Sequence, residues 1–205
     1  MILPSGGYGT LLIGDAGLAR QMISTFAADG LMTVEVAWDE PGIWLGPPAR
    51  TLACRFATVA RWIYDNLHDH AGLFAAQGTS GAASQVAFGL AHYGLGDILA
   101  LANLGSGPPN CPLCSSNRRH PAEPLLAGPP RSVPRVAQLN YPSTAVRVFL
   151  GDSEPTPEII ADARTYFRAI TSTKSMTTVS GTGHHIEETR NGINAYIQSV
   201  RAALR

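Results

Sequence analysis

Ala71–Tyr93 reads AGLFAAQGTSGAASQVAFGLAHY, and the rest of the chain is organised around it. Its apolar run Leu73–Ala76 predicts a buried strand. The run leads into Gly78-Thr79-Ser80-Gly81-Ala82, and an apolar segment of helical character follows at once. A serine between small residues at a strand-to-helix turn is the layout of a nucleophile elbow. The turn is so tight that the residues two before and two after the serine must be nearly free of side chain. Gly78 and Ala82 meet that demand, with Ala82 standing where glycine is usual and Gly81 filling the variable slot. Ser80 is then expected at the tip in a strained conformation, its hydroxyl projecting above the sheet. The helix beginning behind it aims unpaired N–H groups and its positive dipole end at the same spot.

Composition frames this reading. The chain has 205 residues, 45% hydrophobic and 15% charged, with a formal net charge of zero. That length supplies one ample core, so a single domain spanning residues 1–205 is expected. Lysine and arginine are not clustered, which argues against nucleic acid and against an anionic membrane surface as partners. No run reaches the ~18 apolar residues of a membrane span. The start, MILPSGGYGT, has no charged n-region and no cleavage pattern. A cytoplasmic location is therefore the default expectation, with secretion left open for a mature form. Of the three cysteines, Cys111 and Cys114 are spaced C-x-x-C, but Pro109 and Pro112 put them in a loop, against a thioredoxin-type pair. Zinc would need Cys54, Cys111, Cys114 and His120 together. A loop-stapling disulfide or free thiols is the preferred reading, with no metal and no cofactor.

Outward from the central stretch, helical and strand patterns alternate. Met1–Pro4 reads as a stub strand before the glycine-rich Ser5-Gly6-Gly7-Tyr8-Gly9. Ala16–Ala28 places Leu18, Met22, Ile23 and Phe26 on one helix face. Met32–Ala37 is a short strand, and a loop with Trp38 and Trp44 follows. Thr51–Leu67 is strongly amphipathic, with Phe56, Val59, Ala60, Ile63, Tyr64 and Leu67 in one stripe. Asp97–Leu101 reads as the strand after the central helix. Residues 105–143 are rich in Pro, Gly, Ser and Arg and are expected to make an irregular excursion over one end of the sheet. Val146–Leu150 is a strand running into Gly151-Asp152-Ser153-Glu154. Thr156-Pro157 then caps and starts a helix over Pro157–Ile170. Met176–Val179 is the last strand, ending in Gly181-Thr182-Gly183-His184-His185, and a helix over about Glu187–Leu204 closes the chain. The alternation predicts the α/β class: a parallel sheet with helices on both faces and right-handed crossovers. In such sheets the site lies at the carboxyl ends of the strands.

Three of those ends carry what nucleophilic catalysis needs: Ser80, then Asp152 or Glu154, then His184 or His185. A serine hydroxyl needs an imidazole to take its proton, and the imidazole needs a carboxylate to hold its tautomer. The order serine, acid, histidine on successive strand ends resembles the α/β-hydrolase family from Ser5 to the C-terminus. SGGYG, GTSGA, GDSE with its following proline, and GTGHH carry the resemblance. It implies Ser80 as nucleophile. It also implies Glu154 as the acid of a G-x-x-acid turn, with Asp152 competing. His184, after the second glycine, is the implied base, with His185 as the alternative. The oxyanion hole is expected from the amide of Gly81 and that of Gly7 or Tyr8. Trp38, Trp44 and Tyr8 are candidates for apolar walls.

Two departures stand out. Ser5 occupies a place where the family often has histidine, and only four residues precede it where further strands are usual. A sheet of reduced strand number follows, its open edge short or covered in a homodimer. The implied activity is hydrolysis of small or polymeric carboxylic esters through an acyl-enzyme in a rather open site. Thioesterase, lactonase or amidase action by the same residues, or a non-catalytic binding module on the same fold, are the alternatives.

Overall fold

The computed structural model describes residues 1–7, 9–39, 49–107 and 137–205, with only the backbone described at 49–52. Tyr8, Trp44, Cys111, Cys114, His120 and most of the expected excursion lie outside these residues. Among the described residues six strands form one sheet: β1 Ile2–Pro4, β2 Val34–Val36, β3 Ala75–Thr79, β4 Leu101–Gly105, β5 Ala145–Gly151 and β6 Lys174–Val179. Their order is β2-β1-β3-β4-β5-β6 and every pairing is parallel. The described helices that cover it are α1 Ala19–Ala28, α2 Ala49–Leu67, α3 Gly81–Tyr93, α4 Pro157–Ala169 and α5 Arg190–Ala203.

The period of two in the strands sorts side chains between the faces. Leu3, Ala75, Leu101 and Phe149 pack with Phe26 of α1 and Ile193 and Tyr196 of α5. Their neighbours Ile2, Ala76, Ala102 and Val146 pack on the other face with Phe56 of α2, Val86 and Leu90 of α3, and Tyr166 of α4. The first face also buries Gln77 and Asn103, which are cross-strand partners in register. Buried amides need partners. Asn103 donates to Gln77 Oε1 (3.2 Å), and the Ser199 hydroxyl donates to Asn103 Oδ1 (2.7 Å). Arg147 in turn donates to Ser199.

Several expected bounds shift. The strand expected at Asp97–Leu101 is displaced: Leu95–Asp97 is a 3-10 turn and β4 is Leu101–Gly105. The apolar residues Ile98 and Leu99 are buried all the same, in the lead-in, where the Thr144 hydroxyl donates to the carbonyls of Gly96 and Leu99. Hydrophobicity reported burial there, not extension. β3 likewise starts later than Leu73 and runs to Thr79, because Gly78 and Thr79 ladder with Leu104 and Gly105. Thr156 holds the N-cap position of α4, but its hydroxyl makes no capping bond. The last helix begins at Arg190 rather than Glu187, capped by Thr189, whose hydroxyl accepts from the Gly192 amide. Met1–Pro4 is a strand as expected, yet not the edge: Ile2 and Leu3 are fully buried between β2 and β3. The edge on that side is β2, which is only three residues long. No helix among the described residues is long and apolar enough to cross a membrane.

Candidate active site

The chain reverses direction across the sheet between β1 and β3, since β2 lies outside β1 and the later strands add on the other side. Ligands of open α/β sheets bind at such a switch point, beyond the carboxyl ends of the strands. Here those ends are Ser5-Gly6-Gly7 and Ser80.

Ser80 has φ 59° and ψ −125°, a left-handed conformation for a residue with a side chain. Strain of this kind costs roughly 1–3 kcal/mol and persists only where the surroundings enforce it. Its amide donates to the Gly105 carbonyl of β4 (2.9 Å), and its carbonyl accepts from the Ser84 amide and hydroxyl (both 3.2 Å). A Cβ on Gly78 would stand 2.6 Å from the Ala82 Cβ. The Ala82 carbonyl carbon would lie closer still, at 2.5 Å, so the approach of the two backbones itself requires glycine at 78. A Cβ on Gly81 would stand 2.8 Å from the Gly7 nitrogen, so the two backbones that were expected to supply oxyanion donors lie against each other. Among the described residues the Ser80 hydroxyl makes no hydrogen bond. Such contacts are often loose before substrate binds.

The glycine-rich turn is held by a residue the sequence reading missed. Gln85 of α3, fully buried, donates to the Ser5 carbonyl (2.7 Å) and accepts from the Trp38 indole N–H (3.3 Å). The Ser5 amide donates to the Val36 carbonyl, and the Trp38 amide to that of Gly9 (2.6 Å). The signal was present: one amide side chain among the small and apolar residues of Gly81–Tyr93. Trp38, expected as an apolar wall, has its indole anchored to this glutamine and packs against the α2/α3 core.

After β5 the two acids part. The Glu154 side chain is fully buried, and His184 Nδ1 lies 3.1 and 3.0 Å from its two oxygens. Asp152 instead fastens the backbone of the histidine turn. Its carboxylate accepts from the amides of Gly181 (3.0 Å) and Thr182 (3.3 Å) and from the Ser153 hydroxyl. The Gly181 bond leads in holding the Asp152 carboxyl below its ordinary value, against a little desolvation and with help from Thr182. Gly151 must lack a side chain because the carbonyls of Thr182 and Gly183 press against it.

The two histidines part as well. The His184 and His185 rings meet edge to face at 5.1 Å and 87°. His185 Nδ1 sits 3.6 Å from Glu187 Oε1, not against Glu154. Contact with that carboxylate raises the His185 imidazole above its ordinary value, outweighing its partial burial. Burial pushes the Glu187 carboxyl up, but the His185 ring and the Thr79 hydroxyl beside it more than offset this and leave it below the ordinary glutamate value. Beyond the histidines the chain returns over the end of β4: Gly105 faces the Tyr196 hydroxyl, Thr79 Oγ1 and Ile186. Of the cysteines, Cys54 lies among the described residues and is a free thiol.

No protein-family model matches the sequence, and no curated protein sequence does. Solved structures do match. A carboxylesterase of Bacillus cereus aligns with 13% identity and a TM-score of 0.62, covering 99% of this chain and 88% of that one. A dienelactone hydrolase of Anabaena variabilis aligns with 13% identity and a TM-score of 0.62, over 100% and 86%. Mouse alpha/beta hydrolase domain-containing protein 10 aligns with 10% identity and a TM-score of 0.62, over 98% and 87%. With its single parallel sheet flanked by helices, and with these matches over nearly its whole length, the chain has the α/β-hydrolase fold.

Proposed function

We propose that the protein hydrolyses carboxylic esters through a covalent acyl-enzyme. The observation that supports this best is the buried Glu154 clasping His184 Nδ1, at the same carboxyl end of the sheet as a strained, positive-φ serine. With Nδ1–H committed to Glu154, the other ring nitrogen, Nε2, is left basic. His184 takes the Ser80 proton as Ser80 Oγ attacks the ester carbonyl. The alkoxide that forms is stabilised by the amides of Gly81 and of Gly7 or Tyr8, with the α3 dipole adding to their field. His184 then returns the proton to the departing alcohol. Water, activated by the same imidazole, attacks the acyl-enzyme and releases the acid. Glu154 steadies the imidazolium in both halves of the cycle, and no cofactor is called for.

The test is turnover of p-nitrophenyl acetate, butyrate and longer esters by wild type and Ser80→Ala. Loss of at least about a thousandfold in kcat, with the thermal transition unchanged, supports the reading. Wild-type turnover by Ser80→Ala rejects it.

A further inference from the structure

A second carboxylate–imidazole pair lies beside the first, and the proposed reaction does not use it. Glu187 sits on the 3-10 turn Ile186–Glu188 that carries the chain from the histidines back over β4. Only 6% of the residue is exposed, and its Oε2 has no hydrogen-bond partner among the described residues. A buried carboxylate oxygen without a partner is costly, so its place beside the candidate site asks for a reason. The wall beneath it is polar: the Thr79 and Tyr196 hydroxyls bond each other at 2.9 Å, and Thr79 is the residue before Ser80. On the other side Glu187 meets His185, whose ring stands edge-on to His184. The charged groups facing this spot are Glu187 and Glu188 from the 3-10 turn and Glu154 from the turn after β5. The imidazoles are His184 and His185. Asp152, from the same β5 turn, spends its carboxylate on the backbone of Gly181 and Thr182.

Resting on the hydrolase reading, we propose that Glu187 and His185 are positioning residues: together they hold the His184 ring and set the charge around it while it carries a proton. The logic is electrostatic. When His185 is protonated the pair is neutral, and when it is not the pair carries one negative charge, which favours a protonated His184. The Glu187 carboxylate raises the affinity of His185 for its proton, so the pair stays neutral to higher pH than a lone histidine would allow. Removing His185 leaves the Glu187 charge uncompensated at every pH above the carboxyl's own titration. Removing the Glu187 charge leaves any proton on His185 uncompensated, next to His184.

The two substitutions therefore act in opposite directions on the acidic limb of the kcat/KM profile, which reports the base in the free enzyme. His185→Gln moves the limb to higher pH by about half a unit, and Glu187→Gln moves it to lower pH by about as much. Opposite displacements support the proposal. Limbs that stay in place, or that move together, overturn it, because a merely structural role lowers kcat or the thermal transition without sorting the two variants by sign. His185 is more than half exposed in its side chain. If Glu187→Gln does not fold, His185→Gln decides alone: a raised limb supports the pair and an unmoved limb overturns it. Ser80→Ala, assayed in parallel, separates the two readings. If it is inactive while both limbs stay in place, only the pair proposal fails. If it keeps wild-type turnover, the hydrolase reading fails and the pair proposal falls with it.

Discussion

Glu154 and Asp152 are two residues apart, and in sequence they are near-equals. In space they are not. Glu154 turns inward and meets the His184 ring, while Asp152 turns to the backbone of the histidine loop. Glu154→Gln is expected to lower kcat by about 10³–10⁴-fold, because the amide no longer steadies the imidazolium or enforces its tautomer. Asp152→Asn is expected to cost less than about tenfold in kcat, since its role is to fix the loop rather than the charge. Its effect belongs to acid stability. The folded state holds the Asp152 carboxyl below its ordinary value, so the stabilisation is complete above that ordinary value. It is lost as pH falls through the folded one. Thermal transitions measured from neutral pH downward should fall less steeply for Asp152→Asn than for wild type.

At the scale of elements, α3 does more than start behind the serine. Its second turn carries Gln85, which reaches across to the Ser5 carbonyl at the end of β1 and takes the Trp38 indole from beyond β2. One side chain so ties the helix that follows Ser80 to the turn expected to supply an oxyanion donor. Gln85→Leu removes both bonds and leaves a buried carbonyl unpaired, which costs about 1–3 kcal/mol of stability. Ester turnover should show kcat reduced by about 10–100-fold with KM within about threefold, the pattern of a loss felt mainly in the transition state. A comparable rise in KM with kcat unchanged would mark the turn as a binding element instead.

At the scale of the molecule, the site stands where elements from the whole chain converge. Gly105 at the end of β4 is the meeting point: Thr79 of β3, Ile186 of the histidine segment and Tyr196 of α5 all press on it. Gly105→Ala inserts a methyl where the Tyr196 hydroxyl already stands. An overpacking cost of about 1–3 kcal/mol follows, which in a chain of this size lowers the melting temperature by about 2–4 °C per kcal/mol. The double variant Gly105→Ala/Tyr196→Phe should recover part of that loss by making room. Scanning calorimetry of wild type, both single variants and the double checks the coupling; strictly additive shifts would show that the two positions do not meet.

The α/β alternation, the tight strand-to-helix turn at Ser80 and the strand ends that carry the candidate acids and histidines are legible in the amino-acid sequence, because these are local. Period, small residues around a serine, and glycines before the histidines are all written within a few positions of one another. Three-dimensional pairing was needed to place β4 at Leu101–Gly105, since Ile98 and Leu99 are as apolar as any strand and the ladders with β3 and β5 fix the register. The tertiary structure alone separated Glu154 from Asp152 and His184 from His185, because partner choice depends on where each side chain turns after its strand ends. Gln85 and Glu187 emerged there too. Each meets residues remote in the chain, Ser5 and Thr79, and a contact between distant segments leaves no pattern in either one.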